Sequence, residues 1–361
     1  MTTRDPSTPA SHGFRMPAEW EAQEAIWLAW PHDIAHWHWT WGLNPKTQAK
    51  YDRVIAAYAK GISVLEESEK VCILVNNATM EKAVRAYLRS QKVSEENLQF
   101  FHIATTAPWM RDLGPTFLVR DQNGKHEVAM TDWIFNSWGG KYPPWDDDDK
   151  VPDRIASALK MRRFRPEIVL EGGSIEVNGK GTVITTEGCL LNPNRNPNRT
   201  REEIEKHVQD FLGVTNVLWM GSGVANDDTD GHIDNLVRFV NPTTVLCAHE
   251  ENEKDENFQN LHENFERLQS MRDQDGELLE VITLPMPDPQ YFDGERYPAS
   301  YANFLITNKI VLLPSYSKRG DAEAMEILQH YFPQRKIVGV DSTDIIWGQG
   351  SFHCLSQQQP A

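Results

Sequence analysis

The chain has 361 residues, 40% of them hydrophobic and 24% charged, the balance of a soluble globular protein long enough for an ample core. Its formal net charge of −16 argues against nucleic-acid binding, which needs a basic stripe, and favours cationic small ligands. Cys72, Cys189, Cys247 and Cys354 are far apart with no CxxC pair, which argues against a zinc ribbon or disulfide framework, and the lack of a signal-like or membrane-length apolar run makes the cytoplasm the expected compartment.

Residues 1–13 are rich in Thr, Ser, Pro and Ala and are expected to be a disordered tail. Residues 14–361 then read as a single domain, since no Pro/Gly/Ser linker divides them. Apolar runs predict strands at Ala25–Trp30, Val71–Val75, Thr116–Val119, Glu167–Leu170, Thr182–Thr185, Leu236–Phe239, Thr244–Ala248 and Ile310–Leu313. Helical spacing predicts helices at Thr47–Ser68, Met80–Ser90, Thr200–Leu212, Asp255–Met271 and Asp321–Tyr331. Thr200 followed by Glu203 is a capping box, which fixes one helix start. Strand and helix units recur at roughly 60–80 residues without clear self-similarity. Repeated ββαβ units fit this pattern, and so does an ordinary doubly wound α/β sheet.

Several segments carry residues capable of chemistry. His32, His36 and His38 are close in sequence but sit among tryptophans with no carboxylate motif, so a metal site is not expected there. The segment Trp109-Met110-Arg111-Asp112-Leu113-Gly114-Pro115 places Asp112 in a turn before a strand, where Gly and Pro fix the backbone. Taken alone, plain turn chemistry is the better explanation of it. The run Asp146–Asp149 lacks the Gly and Glu spacing of a calcium loop and reads as a solvated segment. Glu171-Gly172-Gly173-Ser174 suggests close backbone approach to a ligand, or a β-bulge. Gly221-Ser222-Gly223 is not a dinucleotide fingerprint. If Asp228 to Asp234 is extended, Asp228, Asp230, His232 and Asp234 share a face. A histidine so flanked is an acid/base candidate, although a solvated sheet edge has the same pattern. Cys354 follows the Gly-rich loop Gly348-Gln349-Gly350-Ser351 in a polar setting and is the nucleophile candidate. The other three cysteines lie in apolar runs and read as core.

Taken in order, MPAEWEAQEAIWLAWPHD, WMRDLGPTF, FNSWGGKYPPW, EGGSIEVNGKGTVITTEGCLLNPNRNP, DDTDGHIDNLVRFV, SYANFLITNKIVLLPSY and HCLSQQQP resemble the agmatine deiminase family, relatives of the bacterial-type peptidylarginine deiminases. The segments span nearly the whole chain after the tail. The resemblance implies a five-bladed α/β propeller with pseudo-fivefold ββαβ repeats and an active site on its axis. It implies Cys354 as nucleophile, His232 as general acid/base, and Asp112, Glu171 and Asp234 as acids that hold a guanidinium and orient the catalytic groups. Trp109, Asp112, Asp228 and Asp234 form the expected substrate site. The implied reaction takes agmatine to N-carbamoylputrescine and ammonia without metal or cofactor, in a homo-oligomer with no nucleic-acid or membrane partner. Deimination of free or peptidyl arginine is one alternative, and non-catalytic binding of cations is another. Two positions depart from the family pattern. Gln349 stands where a glycine is expected, and Leu113 where threonine is more usual. His353 fits the pattern but is expected to point away from Cys354, in a structural role.

Overall fold

The computed structural model describes residues 7–32 and 45–361. Five sheets share one build. In each, a first strand runs antiparallel to a second, the second runs parallel to a third, and a helix makes the crossover. The strands β1 (Gln23–Ala29), β2 (Lys70–Val75) and β3 (Leu98–His102) form the first sheet with the C-terminal strand. The second sheet comprises β4 (Thr116–Gln122), β5 (Lys125–Thr131) and β6 (Arg162–Phe164). The third comprises β7 (Glu176–Val177), β8 (Thr182–Thr186) and β9 (Asn216–Met220). The fourth comprises β10 (Val237–Phe239), β11 (Thr244–His249) and β12 (Glu280–Pro285). After the hairpin β13 (Gln290–Phe292) and β14 (Glu295–Tyr297), the fifth comprises β15 (Leu305–Ile306), β16 (Ile310–Ser315) and β17 (Lys336–Asp341). Last, β18 (Ser356–Pro360) pairs with β1, so the chain's two ends share a sheet. This is the expected five-bladed α/β arrangement.

The inner strands are apolar because they are covered on both faces. Thus Ile26, Trp27, Val71, Ile73, Val183, Ile184, Val245, Leu246, Val311 and Leu312 are all buried. The crossover helices are amphipathic. The helix Arg201–Leu212 starts on the capping box of Thr200 and Glu203, ends at Gly213 with a φ of 70°, and buries Ile204, Val208 and Leu212. Among the described residues no helix is long and apolar enough to cross a membrane.

Two expectations fail here. Residues 1–6 of the expected tail lie outside the described residues, but Pro9–His12 form a 3-10 turn that buries Pro9 and Ala10. The segment Glu167–Leu170 is no strand, since only Val169 makes an isolated bridge, to Ile134.

The repeat that matters for function lies just before the first strand of each blade. Single helical turns occupy Met110–Leu113, Gly172–Ser174, Ile233–Asn235 and Tyr301–Asn303, and a turn at residues 351–355 precedes β18. These turns touch in a ring. The Arg111 amide donates to the Cys354 carbonyl, and the Gly173 amide donates to Asp112 Oδ1 at 3.0 Å. A Cβ on Gly173 would lie 2.5 Å from His232 Nδ1. Asn303 Nδ2 donates to Asn235 Oδ1 at 3.0 Å, and the Ser351 amide donates to Asn303 Oδ1. Each blade therefore delivers one short turn to the same central point.

Candidate active site

That point holds Cys354, His232, Asp112, Glu171 and Asp234, all buried. Cys354 Sγ lies 3.0 Å from Asn303 Nδ2, which donates to it, and 3.4 Å from Asp234 Oδ2. Burial raises the thiol pKa well above its ordinary value, and Asp234 and Asp112 add to the effect against the Asn303 hydrogen bond. The resting sulfur is therefore a thiol.

His232 is fully buried, and among the described residues neither ring nitrogen makes a close hydrogen bond, the Cys189 thiol being near enough to interact with it. Nδ1 is 3.7 Å from Asp112 Oδ1 and Nε2 is 4.0 Å from Glu171 Oε2. Burial acts to lower its pKa, but Asp112, Cys189 and Asp234 outweigh it and hold the pKa well above the ordinary histidine value. Asp112 is already fixed. Besides the Gly173 amide it accepts from Trp138 Nε1 at 2.9 Å. Burial, reinforced by Asp234 and Glu171, pushes its carboxyl up to about 6 against the pull of His232. Asp234 behaves oppositely. Burial would raise its pKa, but the contact with His353 and the nearby His232 and Arg238 lower it. Its Oδ1 has no partner, so one acceptor remains for a ligand.

Glycine is required at two positions of the Glu171 turn. A Cβ on Gly172 would lie 2.1 Å from the Arg111 carbonyl, and Gly173 abuts His232 and Asp112. The two glycines thus serve contacts within the protein rather than approach to a ligand or a β-bulge. Glu171 Oε1 accepts from Arg195 Nε at 2.6 Å, and its Oε2 faces the Cys189 thiol at 3.8 Å. Cys189, expected to be plain core, therefore lies beside Glu171 and His232. Glu171, Cys189 and His232 place ligand atoms within 4.8 Å of one another. The set could hold a metal, but Arg195 already engages Glu171, and burial with Glu171 nearby raises the Cys189 pKa.

The extended reading of residues 228–234 is overturned. Asp230 has a φ of 68° and Gly231 a φ of 102°, which turn the chain back, and His232 then caps a 3-10 turn. Asp230 pairs with Arg195 at 2.6 Å and Lys141 at 2.9 Å instead of facing His232. Asp228 nevertheless lines the pocket, accepting from the Tyr142 hydroxyl. Burial pushes its carboxyl up to about 6, opposed by Tyr142.

A narrow pocket opens onto Cys354. Trp109, Trp138 and Tyr142 supply aromatic walls, Asp112 and Asp228 the carboxylates, and Gly348-Gln349-Gly350 a loop beside the sulfur. His353 does not bond the thiol. Its Nδ1 is 2.7 Å from Asp234 Oδ2 and its Nε2 is 2.9 Å from Glu19 Oε2. Glu19 in turn pairs with Arg238, itself bound to Glu176 at 3.0 Å. A buried ionic layer thus underlies the site. Sequence reading assigned no role to Asn303, Trp138, Tyr142, Arg195 or Glu19. Trp138, with a φ of 54°, is held in a left-handed conformation rare for an aromatic residue.

The other expected polar clusters lie elsewhere. His36 and His38 are outside the described residues, and His32 bonds the Trp30 carbonyl and Asn76. Asp148 caps the amides of Thr106 and Ala107, and Asp149 that of Phe135.

Comparison with known proteins agrees with this geometry. Residues 15–360 match the model of the Porphyromonas-type peptidyl-arginine deiminase family. An agmatine deiminase of Ectopseudomonas mendocina is 40% identical, with 100% of this chain and 99% of the relative covered. The solved structure of Enterococcus faecalis agmatine deiminase superposes with a TM-score of 0.85 at 34% identity, covering 99% of each chain. A Campylobacter jejuni agmatine deiminase with substrate bound gives 0.84 at 28% identity, covering 96% of each. From its first ordered blade to its closing strand, the chain belongs to the Porphyromonas-type peptidyl-arginine deiminase family, among its agmatine deiminases.

Proposed function

We propose that this site hydrolyses agmatine to N-carbamoylputrescine and ammonia. One observation carries the choice of substrate. The pocket above Cys354 has two carboxylates and three aromatic side chains in its walls, and among the described residues no lysine or arginine lines it. A ligand with a cation at each end suits those carboxylates, whereas the α-carboxylate of free arginine meets the like charge of Asp228, which Lys141, bonded to the Asp228 backbone carbonyl, only partly offsets.

The chemistry follows from the groups present. Burial and the neighbouring acids favour a thiol at Cys354 and a protonated imidazole at His232 in the free enzyme. Arrival of the guanidinium beside Asp112 and Asp234 offsets their charge, which favours the thiolate, and the thiol proton is released to water. The sulfur attacks the guanidinium carbon and forms a C–S bond. The His232 imidazolium gives its proton to one NH₂ group, the C–N bond breaks, and ammonia leaves. The amidino-thioether on Cys354 then meets a water whose proton passes to His232. The hydroxide adds to carbon, the C–S bond breaks, and the urea product leaves with the thiolate regenerated. Glu171 and Asp112 flank His232 and hold it in its protonated form, while Asn303 and Asp234 orient the sulfur.

Ammonia release tests the reading directly. Agmatine should be turned over with a kcat/KM at least a hundredfold above that of arginine, and the rate should survive dialysis against a chelator. Equal rates on arginine would overturn the substrate assignment. Activity lost on chelation and restored by zinc would overturn the metal-free mechanism and point to Glu171, Cys189 and His232.

Asp228 carries the distal amine in this reading. Asp228→Asn should lower kcat/KM for agmatine about tenfold to a hundredfold, the loss of one hydrogen bond to a charged group, and should narrow the preference over arginine. Unchanged values for both substrates would place the amine elsewhere.

A further inference from the structure

The loop beside the nucleophile contains a residue that is costly where it stands. Gln349 lies between Gly348 and Gly350 with a φ of 78° and a ψ of 5°, a left-handed conformation that a glycine adopts freely and a glutamine does not. Its neighbour Gly350 is fixed by the sulfur, since a Cβ there would lie 2.8 Å from the Trp109 ring and 3.1 Å from Cys354 Sγ. No such crowding dictates the residue at 349, and the backbone favours glycine. The side chain adds a second cost. Gln349 Oε1 is buried and accepts no hydrogen bond among the described residues, and a buried acceptor without a donor destabilises the fold.

Both costs fall on a residue that lines the substrate pocket. The pocket lining includes the buried Cys354 and Asp112, and the fully buried Asp234 and His232 lie next to them. Gln349 and Asp228 are only partly buried and therefore lie toward its mouth. An orphan acceptor there fits a ligand that brings N–H donors. We propose that Gln349 is a substrate-binding residue whose amide oxygen accepts a hydrogen bond from the distal ammonium of agmatine, sharing that cation with Asp228. The assignment rests on the agmatine reading and deepens it. The ammonium has three N–H donors and so can serve an amide oxygen and a carboxylate together. A residue strained and unsatisfied in the free protein becomes satisfied in the complex.

The test compares wild type, Gln349→Gly and Gln349→Glu on agmatine and on n-butylguanidine, which keeps the guanidine but lacks the amine. Gln349→Gly should raise the agmatine KM about tenfold, as expected for loss of one hydrogen bond to a charged group. Its kcat should stay within about threefold, since binding alone is affected. The n-butylguanidine KM should not move, and Tm should rise because strain and orphan acceptor both disappear. Gln349→Glu restores an acceptor and should return the agmatine KM to the wild-type value or below. A Gln349→Gly enzyme with both KM values unchanged, or with both raised equally, would overturn the assignment. Wild-type enzyme that releases no ammonia from agmatine would instead overturn the underlying function, and the assignment with it.

Discussion

Cys354→Ser should fold as the wild type does and lose nearly all turnover, by roughly 10⁴-fold or more, the scale seen when a covalent nucleophile is removed. The fold should tolerate the change because a hydroxyl can keep the contacts of the thiol with Asn303 Nδ2 and Asp234 Oδ2. Circular dichroism and Tm check the first claim, and ammonia release the second. Mass spectrometry of acid-quenched wild type should find an amidino adduct on the peptide containing Cys354. An active Cys354→Ser enzyme, with Cys189→Ser dead, would move the nucleophile to the other sulfur near His232. The raised pKa adds a pH signature. In the free enzyme Cys354 is a thiol, so alkylation by iodoacetamide should accelerate as pH rises and show no plateau below about pH 9, where an ordinary thiol titrates. A plateau near neutrality would mean a thiolate formed without substrate.

His232→Asn should lower kcat by roughly 10²- to 10⁴-fold, the usual contribution of a positioned acid/base group. The agmatine KM should change little, since the guanidinium is held by carboxylates. The sign of the pH effect follows from the raised pKa. Protonated His232 supplies the proton for ammonia departure, so wild-type turnover should fall as pH rises through that raised value. The variant should lack this alkaline limb. Activity within about tenfold of wild type would remove His232 from the proton-transfer role.

Some of this was legible in the sequence for a physical reason. The inner strands are covered on both faces and read as continuous apolar runs, so Val71–Val75, Thr244–Ala248 and Ile310–Leu313 were placed within a few residues. The outer strands were not. In β3, β12 and β17 most residues are partly buried or exposed, and charged or polar residues interrupt the run. The catalytic residue types stood out through their motifs, but their geometry did not. Asp228 to Asp234 looked like alternation because the left-handed Asp230 and Gly231 are invisible to a period-two reading. Asn303 was missed because SYANF presents one neutral amide among apolar neighbours, and only the fold brings it to the sulfur 51 residues away. Arg195 was missed because its partners Glu171 and Asp230 are remote in sequence.

The pairing of β1 with β18 also has a bearing on synthesis. Leu28 waits for Ser356, roughly 330 residues downstream. At the ribosome's pace of about 5–20 residues per second, that edge of β1 stays open for tens of seconds. Its apolar residues and unpaired amides make it a template for pairing with the wrong chain meanwhile. Cys354 emerges just ahead of the strand that covers the edge. A nascent chain therefore completes the surroundings of Cys354 and covers this edge of β1 at nearly the same moment.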